Sequence, residues 1–415
     1  MSLWFNLLMS GNEQRELFYV WPYLEWGGAQ IYFAGIMKLA RQRYSVRALM
    51  PAGSADKLLG YMRRLDVPCE FFDAHVDAVP SSSLWAKIRR RWRKMRCEFV
   101  IARHLSRRKL ERSILHVDFG PWSSFWLLLY LSLRTDVLVT LHIALPRSYS
   151  WIRRQEWRLK FLFLCSTRGF HLLASNRDML ESLRPYVPRS FMQTVRLAYT
   201  GIDRDEIERV LETDFNRASL CEKYGLPADR FLVFSLGQMI ERKGCHVLLE
   251  AARELRRLRP SLYFVWTGAA RRSQEIEGLV DEYGLRDSFR TITTDEIGES
   301  RLELLMLLRL ADLFVLPSLS EGLPGALLEA MALRKACIAS SVNAIPEVIR
   351  DHETGVLVAP GDSSALAEAI AELESDAALR ERLAAAGQAY VLENFDERIA
   401  ARTTVDYYDA CARAV

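Results

Sequence analysis

Along the second half of the chain, short apolar runs alternate with longer stretches in which apolar residues recur every three or four positions. The runs are RFLVFSLG (230–237), SLYFVWTG (261–268), DLFVLPS (312–318), ACIASS (336–341) and GVLVAP (355–360). The helical period is carried by HVLLEAARELRRL (246–258) and SRLELLMLLRLA (300–311). Strands separated by helices of this length predict a parallel sheet covered on both faces. The first half repeats the theme with RELFYVW (15–21), YSVRALM (44–50), RSILHVD (112–118), DVLVTLH (136–142) and FHLLAS (170–175), and a helix in AQIYFAGIMKLARQ (29–42). No short repeat suggests a solenoid. The expected fold is α/β: two Rossmann-like, doubly wound parallel-sheet domains facing a cleft, residues 1–203 and 204–393, hinged near GIDRDEIER (201–209). Ligands of such sheets bind at the carboxyl ends of the strands, so the cleft is the default site.

Composition agrees. A chain of 415 residues, half hydrophobic and 26% charged, suits two globular domains. No apolar run reaches membrane-spanning length, and the opening MSLWFNLLMSGNEQRE lacks the pattern of a secretory signal, so no export is expected. Seven scattered cysteines form no CxxC pair and no zinc spacing, which predicts a reducing cytosol and no metal site. Charge is polarised: residues 1–200 hold 31 Lys/Arg against 15 Asp/Glu, net +16, and residues 201–415 hold 25 against 37, net −12. The first half is therefore expected to meet something anionic.

The stretch SLSEGLPGALLEAMAL (318–333) carries the most chemistry. A strand ends before it and an apolar helix begins within it. Pro324 suits the first helical turn, and Gly322 and Gly325 let the backbone approach a ligand. The N–H groups of the helix start favour a phosphate, and Glu321 and Glu329 on either side suit sugar and ribose hydroxyls. An ordinary helix start with acidic residues near its dipole fits the same spacing equally well.

SEGLPGALLEAMA resembles the signature of family 4 of the retaining, nucleotide-sugar-dependent glycosyltransferases (glycosyl transferases group 1, GT-B fold). Further stretches match in order: WGGAQ (26–30), LVTLH (138–142), LAYTGID (197–203), SLGQMIERKG (235–244), NAIPEVIRDHETGVLVAPGD (343–362) and the tail NFDERIAARTTVDYYDA (394–410). The resemblance implies a donor held mostly by the second domain, and a last helix, within 394–415, crossing back to the first. It assigns Glu321 to donor-sugar hydroxyls and Glu329 to the ribose. The backbone around Gly322, Leu323, Pro324, Gly325 and Ala326 is assigned to sugar and phosphates. Lys243 is assigned to the diphosphate leaving group, Gly27 and Gly28 to the same phosphates, and His142 to the underside of the transferred sugar. It implies a UDP- or GDP-linked sugar as co-substrate, no other cofactor, and transfer to a glycan or lipid-linked acceptor in polysaccharide, lipopolysaccharide or glycolipid synthesis.

The sequence also departs from the pattern. Gln238 stands where the phosphate loop usually offers arginine, and Arg242 is the candidate replacement. Thr200 replaces the link asparagine. Asn343-Ala344 replaces a Gly-Gly, and Arg334 or Lys335 replaces another glycine; these positions are expected at the edge of the donor pocket. Residues 81–112 carry twelve Lys/Arg and two acidic residues among Trp85, Trp92 and Phe99, and 149–165 has a similar mix. Basic aromatic helices favour anionic lipid surfaces, and no nucleic-acid signature accompanies the charge. A solvated helix face with buried tryptophans is the plainer alternative. The expectation is a cytoplasmic protein, peripheral on the inner face of the cell membrane. A catalytically inactive scaffold of the same fold and a sugar-nucleotide epimerase stay open. A dinucleotide oxidoreductase is disfavoured, because no GxGxxG follows any strand.

Overall fold

The computed structural model describes residues 14–24, 28–76, 84–110, 113–145, 149–268, 273–298 and 300–413. The chain divides into two units, one from residues 1–175, 179–198 and 400–415, the other from 176–178 and 199–399.

The first unit is built on β1 (Glu16–Val20), β2 (Ser45–Pro51), β3 (Cys69–Phe72), β4 (Ile114–Val117), β5 (Asp136–Leu141), β6 (Phe170–Ala174) and β7 (Arg196–Leu197), all parallel in the order β3-β2-β1-β4-β5-β6-β7. Val20 stands level with Leu49 and Val117, so the carboxyl ends of the central strands align. Side chains alternate across the pleat. Leu17, Tyr19 and Trp21 therefore face one layer, which holds α1 (Gly28–Ala40) and α2 (Asp56–Arg64). Phe18 and Val20 face the other layer, which holds α3 (Leu84–Ser106), α4 (Pro121–Ser132) and α5 (Trp151–Cys165).

The second unit contains α6 (Arg204–Glu212), β8 (Phe231–Leu236), α7 (Cys245–Leu255), β9 (Leu262–Gly268), β10 (Phe289–Thr293), α8 (Arg301–Arg309), β11 (Leu313–Leu316), α9 (Gly325–Ala332), β12 (Ala336–Ser340), β13 (Val356–Val358), α10 (Ser363–Ser375) and α11 (Ala377–Asn394). Its six strands are parallel in the order β10-β9-β8-β11-β12-β13. The final helix, α12 (Glu397–Arg413), begins in this unit. From Ala400 on it belongs to the first unit, where Ala401, Val405 and Tyr408 pack with Leu17 and Tyr19. Each sheet reverses its winding once, between β1 and β4 and between β8 and β11, and the crevice outside such a reversal is where open α/β sheets take ligands.

Candidate active site

At the reversal in the second sheet, two loops leave neighbouring strands and are tied together. After β8 the chain makes a short 3-10 turn, Glu241–Lys243, and Gly244 follows with φ +71°. Only glycine fits there: a Cβ would lie 1.9 Å from the Pro317 carbonyl oxygen. The close approach lets Leu319 N–H donate to the Arg242 carbonyl at 2.8 Å. Cations from the first loop thereby meet the carboxylate of the second. Lys243 Nζ donates to Glu321 Oε1 at 2.6 Å, and Ser318 Oγ donates to the same oxygen at 2.6 Å. Arg242 donates to the Ser320 carbonyl at 2.7 Å and lies 3.5 Å from Glu321 Oε2. Glu321 is only 4% exposed, a burial that a carboxylate tolerates only when paired in this way. Gln238 is exposed on the same loop. Arg242, four positions further along, is the cation of that loop that lies beside Glu321 Oε2.

Beyond Glu321, Gly322 and buried Leu323 lead into α9. Pro324 is its N-cap (φ −76°, ψ 114°) rather than a first-turn residue, so the helix opens at Gly325. Leu327 and Leu328 N–H donate back to the Pro324 carbonyl. The N–H groups of Gly325 and Ala326 thus precede the helical ladder and point out of its start. Glu329, one turn further on, is buried, and its Oε1 accepts from Arg301 Nη2 at 2.6 Å. Arg301 Nε donates to Glu206 Oε2 at 2.5 Å, completing a Glu206–Arg301–Glu329 chain. Sequence reasoning missed Arg301 and Glu206. They lie 28 and 123 positions from Glu329, with no local pattern linking them. Removing the shared cation strands two nearly buried carboxylates, a loss of about 3–5 kcal/mol. Arg301→Met is expected to lower the melting temperature of this unit by about 6–20 °C in a calorimetric scan at neutral pH.

Asn343 explains one departure from the resembled pattern. Its φ is +47°, a left-handed conformation that asparagine tolerates better than other side chains. Its Oδ1 also accepts the Glu321 N–H at 3.2 Å, so the substitution adds a support to the acidic loop. Arg334 and Lys335 require a correction. They follow the C-terminal end of α9, a helix of eight residues and so about 12 Å long, and Arg334 (φ +58°) pairs with Glu381. They sit at the end of the helix remote from Glu321 and do not border its N-terminus.

In the first unit, His142 directly follows β5 and meets the Tyr32 ring edge-on at 5.2 Å. Burial lowers its pKa to about 4, so the imidazole is neutral near pH 7. Gly28 opens α1, and Gly27 lies outside the described residues. The second unit thus brings together Arg242, Lys243, Glu321 and, through α9, Glu329. His142 and Gly28 belong to the first unit.

Residues 216–390 match the family described as Glycosyl transferases group 1. That segment belongs to the group 1 glycosyl transferases. It contains Arg242, Lys243, Arg301, Glu321 and Glu329, whereas Glu206 precedes it. The alpha-D-kanosaminyltransferase of Streptomyces kanamyceticus is 36% identical over 189 residues, which are 46% of this chain and 47% of that protein. The lipopolysaccharide core biosynthesis glycosyltransferase LpsD of Rhizobium meliloti (strain 1021) is 33% identical over 186 residues, 44% of this chain and 50% of that protein. The chain spans about half the length of the curated relatives it matches. Among solved structures, Anabaena HepE in complex with UDP-glucose superposes with a TM-score of 0.72 at 16% identity, covering 95% of this chain and 100% of that one. At that identity the likeness concerns fold, and the fold is that of the GT-B glycosyltransferases.

Proposed function

We propose that this group 1 glycosyl transferase is a retaining, metal-independent enzyme that moves a sugar from a nucleoside diphosphate donor to a hydroxyl of a glycan or lipid-linked acceptor. The observation that carries the reading is the Lys243–Glu321–Arg242 cluster at the sheet reversal, beside the open N–H groups of α9. The α9 N-terminus is built for a phosphate, and the flanking carboxylates are built for hydroxyls. Glu321 takes hydroxyls of the donor sugar and Glu329, held by Arg301, takes the ribose. The backbone from Gly322 to Ala326 takes the sugar and phosphates. In the transfer the bond from the anomeric carbon to the phosphate oxygen breaks, and its electron pair leaves with the nucleoside diphosphate. The acceptor oxygen forms the new bond on the face from which the diphosphate departs and gives its proton to the departing phosphate oxygen, so configuration is retained. Lys243 and Arg242 meet the charge that develops on the leaving group, the task a metal performs elsewhere. Gly27, Gly28 and His142 are assigned to the phosphates and the transferred sugar by the same resemblance.

A UDP-linked sugar is favoured over a GDP-linked one by the HepE neighbour, which was solved with UDP-glucose. Relatives named for lipopolysaccharide synthesis support an acceptor from surface polysaccharide assembly. No helix among the described residues is long and apolar enough to cross a membrane. Attachment at the inner membrane face falls instead to α3 and α5, where Trp85, Trp92, Trp151 and Ile152 are all more than 65% exposed among arginines and lysines. Such faces attract anionic lipid at about 1 kcal/mol per cation.

A ligand present at a hundred times its dissociation constant stabilises the folded state by about 2.7 kcal/mol. UDP-glucose is therefore expected to raise the melting temperature of the second unit by about 5–11 °C. Glu321→Ala should erase the part of that shift that depends on the sugar and keep most of the shift given by UDP. Absence of both a shift and released nucleotide across UDP- and GDP-sugars would leave the inactive scaffold as the better reading.

A further inference from the structure

The reversal in the first sheet carries a second cavity, independent of the acidic cluster. Pro22 and Tyr23, after β1, and Phe119, after β4, form its inner end, and α3 and α4 form its walls. Its volume is about 860 Å³, within the range of small-molecule sites. The α4 wall is aromatic: Trp122, Phe125, Trp126 and Tyr130 line it. Gly120, with no side chain, makes room for the Trp122 ring, since a Cβ there would lie 2.4 Å from the indole. The indole then stacks on buried Trp157 at 5.7 Å, which fixes this wall. Trp126 on the same wall is 75% exposed, and Phe99 and Met95 face it from α3 at 65% and 52%. Lys87, Arg90, Arg91, Lys94 and Lys160 line the cavity against one carboxylate, Glu98. Lys94 pairs with Glu98 and Lys160 with Glu156, so Lys87, Arg90 and Arg91 leave the lining strongly cationic.

We infer that this groove binds a single anionic amphiphile, the phosphate-bearing end of an aliphatic lipid, with the chain along Trp122 and Trp126 and the phosphate against Arg90 and Arg91. A convex basic face would serve adsorption to a bilayer. A concave aromatic slot with cations along one wall suits capture of one molecule that has both parts. Single-stranded nucleic acid is the weaker occupant, because exposed Met95 offers aliphatic contact and not stacking surface. The inference rests on the proposed transferase in one respect: it makes the groove the anchor of a lipid phosphate acceptor.

The probe is dodecyl phosphate below its micelle-forming concentration, titrated calorimetrically into the whole chain. One-to-one binding is expected, with inorganic phosphate and uncharged dodecyl maltoside each about tenfold or more weaker, because each supplies only one of the two contacts. Arg90→Glu with Arg91→Glu, and separately Trp126→Ala, should each weaken dodecyl phosphate about tenfold or more. Both should leave the melting temperature and UDP-glucose hydrolysis unchanged, which separates a lost site from a lost fold. Equal affinity for inorganic phosphate, competition by an oligothymidylate at matched charge, or unaffected variants would overturn the inference. Variants that lose binding to phosphatidylglycerol vesicles but keep dodecyl phosphate would do so too, since the contact would then be a bilayer surface. Hydrolysis without dodecyl phosphate binding sinks the groove and spares the transferase; binding without hydrolysis does the reverse.

Discussion

Lys243→Ala is expected to lower kcat for donor cleavage by about 10²–10³ with a much smaller change in nucleotide affinity. The lysine is the cation set deepest in the acidic loop, 2.6 Å from Glu321 Oε1 and with its side chain 16% exposed. A positive charge fixed where the diphosphate acquires negative charge acts on the transition state, and removing one such group costs about 2.7–4 kcal/mol of barrier. Arg242 lies 3.5 Å from the other oxygen, so the loss should stop short of complete. Lys243→Arg tests the difference between charge and position. A planar guanidinium on a longer stem restores charge without restoring the point contact, and partial recovery is expected. Glu321→Gln keeps the shape of the acid and removes its charge, leaving Lys243 and Arg242 facing a neutral amide. It should weaken retention of the sugar more than retention of UDP. Single-turnover measurements with UDP-glucose separate chemistry from binding. Equal kcat for Lys243→Ala and the parent would show that the leaving group departs elsewhere.

What the sequence made legible follows from which features are local. The strands recognised in the runs are mostly interior ones, where both faces are covered and the residues are nearly all apolar, as in β5 and β12. The three that gave no signal, β3, β7 and β10, are all at sheet edges and only partly buried. An edge strand need not be continuously apolar, so its pattern dissolves into loop. The acidic loop was legible because strand end, glycine turn and helix start are contiguous between residues 313 and 332. Arg301 was not, because its role depends on two carboxylates brought to it by separate elements. Asn343 was marked as a departure, but its purpose needed the left-handed backbone and the bond to Glu321. The basic stretch of 81–112 could be counted in the sequence, whereas its concavity arises from packing α3 beside α4.

The first unit depends on its last helix through a polar contact buried where no water reaches, and removing one oxygen should show it. Tyr408 on α12 is bonded through its hydroxyl to His116 Nδ1 at 2.5 Å and to the Tyr19 hydroxyl at 3.0 Å. The other His116 nitrogen meets Thr140 Oγ1 at 2.6 Å. Tyr408→Phe keeps the ring and strands two buried polar groups, each costing about 1–3 kcal/mol, so the melting temperature of this unit should fall by about 4–24 °C. Acid should act on the same core. Burial holds His116 well below its ordinary range and His142 at about 4, while it pushes Asp118, at the end of β4, up to about 7. Between about pH 4.5 and 6 the unfolded chain therefore binds two histidine protons that the folded chain refuses. The folded chain binds one at Asp118 that the unfolded chain refuses. The net excess of one proton on the unfolded side makes stability fall by about 1.4 kcal/mol per pH unit as acid is added. Asp118→Asn removes the opposing proton, so the slope should double to about 2.7 kcal/mol per unit. Above pH 7 the same variant should be more stable than the parent, since it no longer holds a charged carboxylate at a half-buried position. Denaturant unfolding at several pH values measures both slopes, and an unchanged slope in Asp118→Asn would place that carboxylate in water.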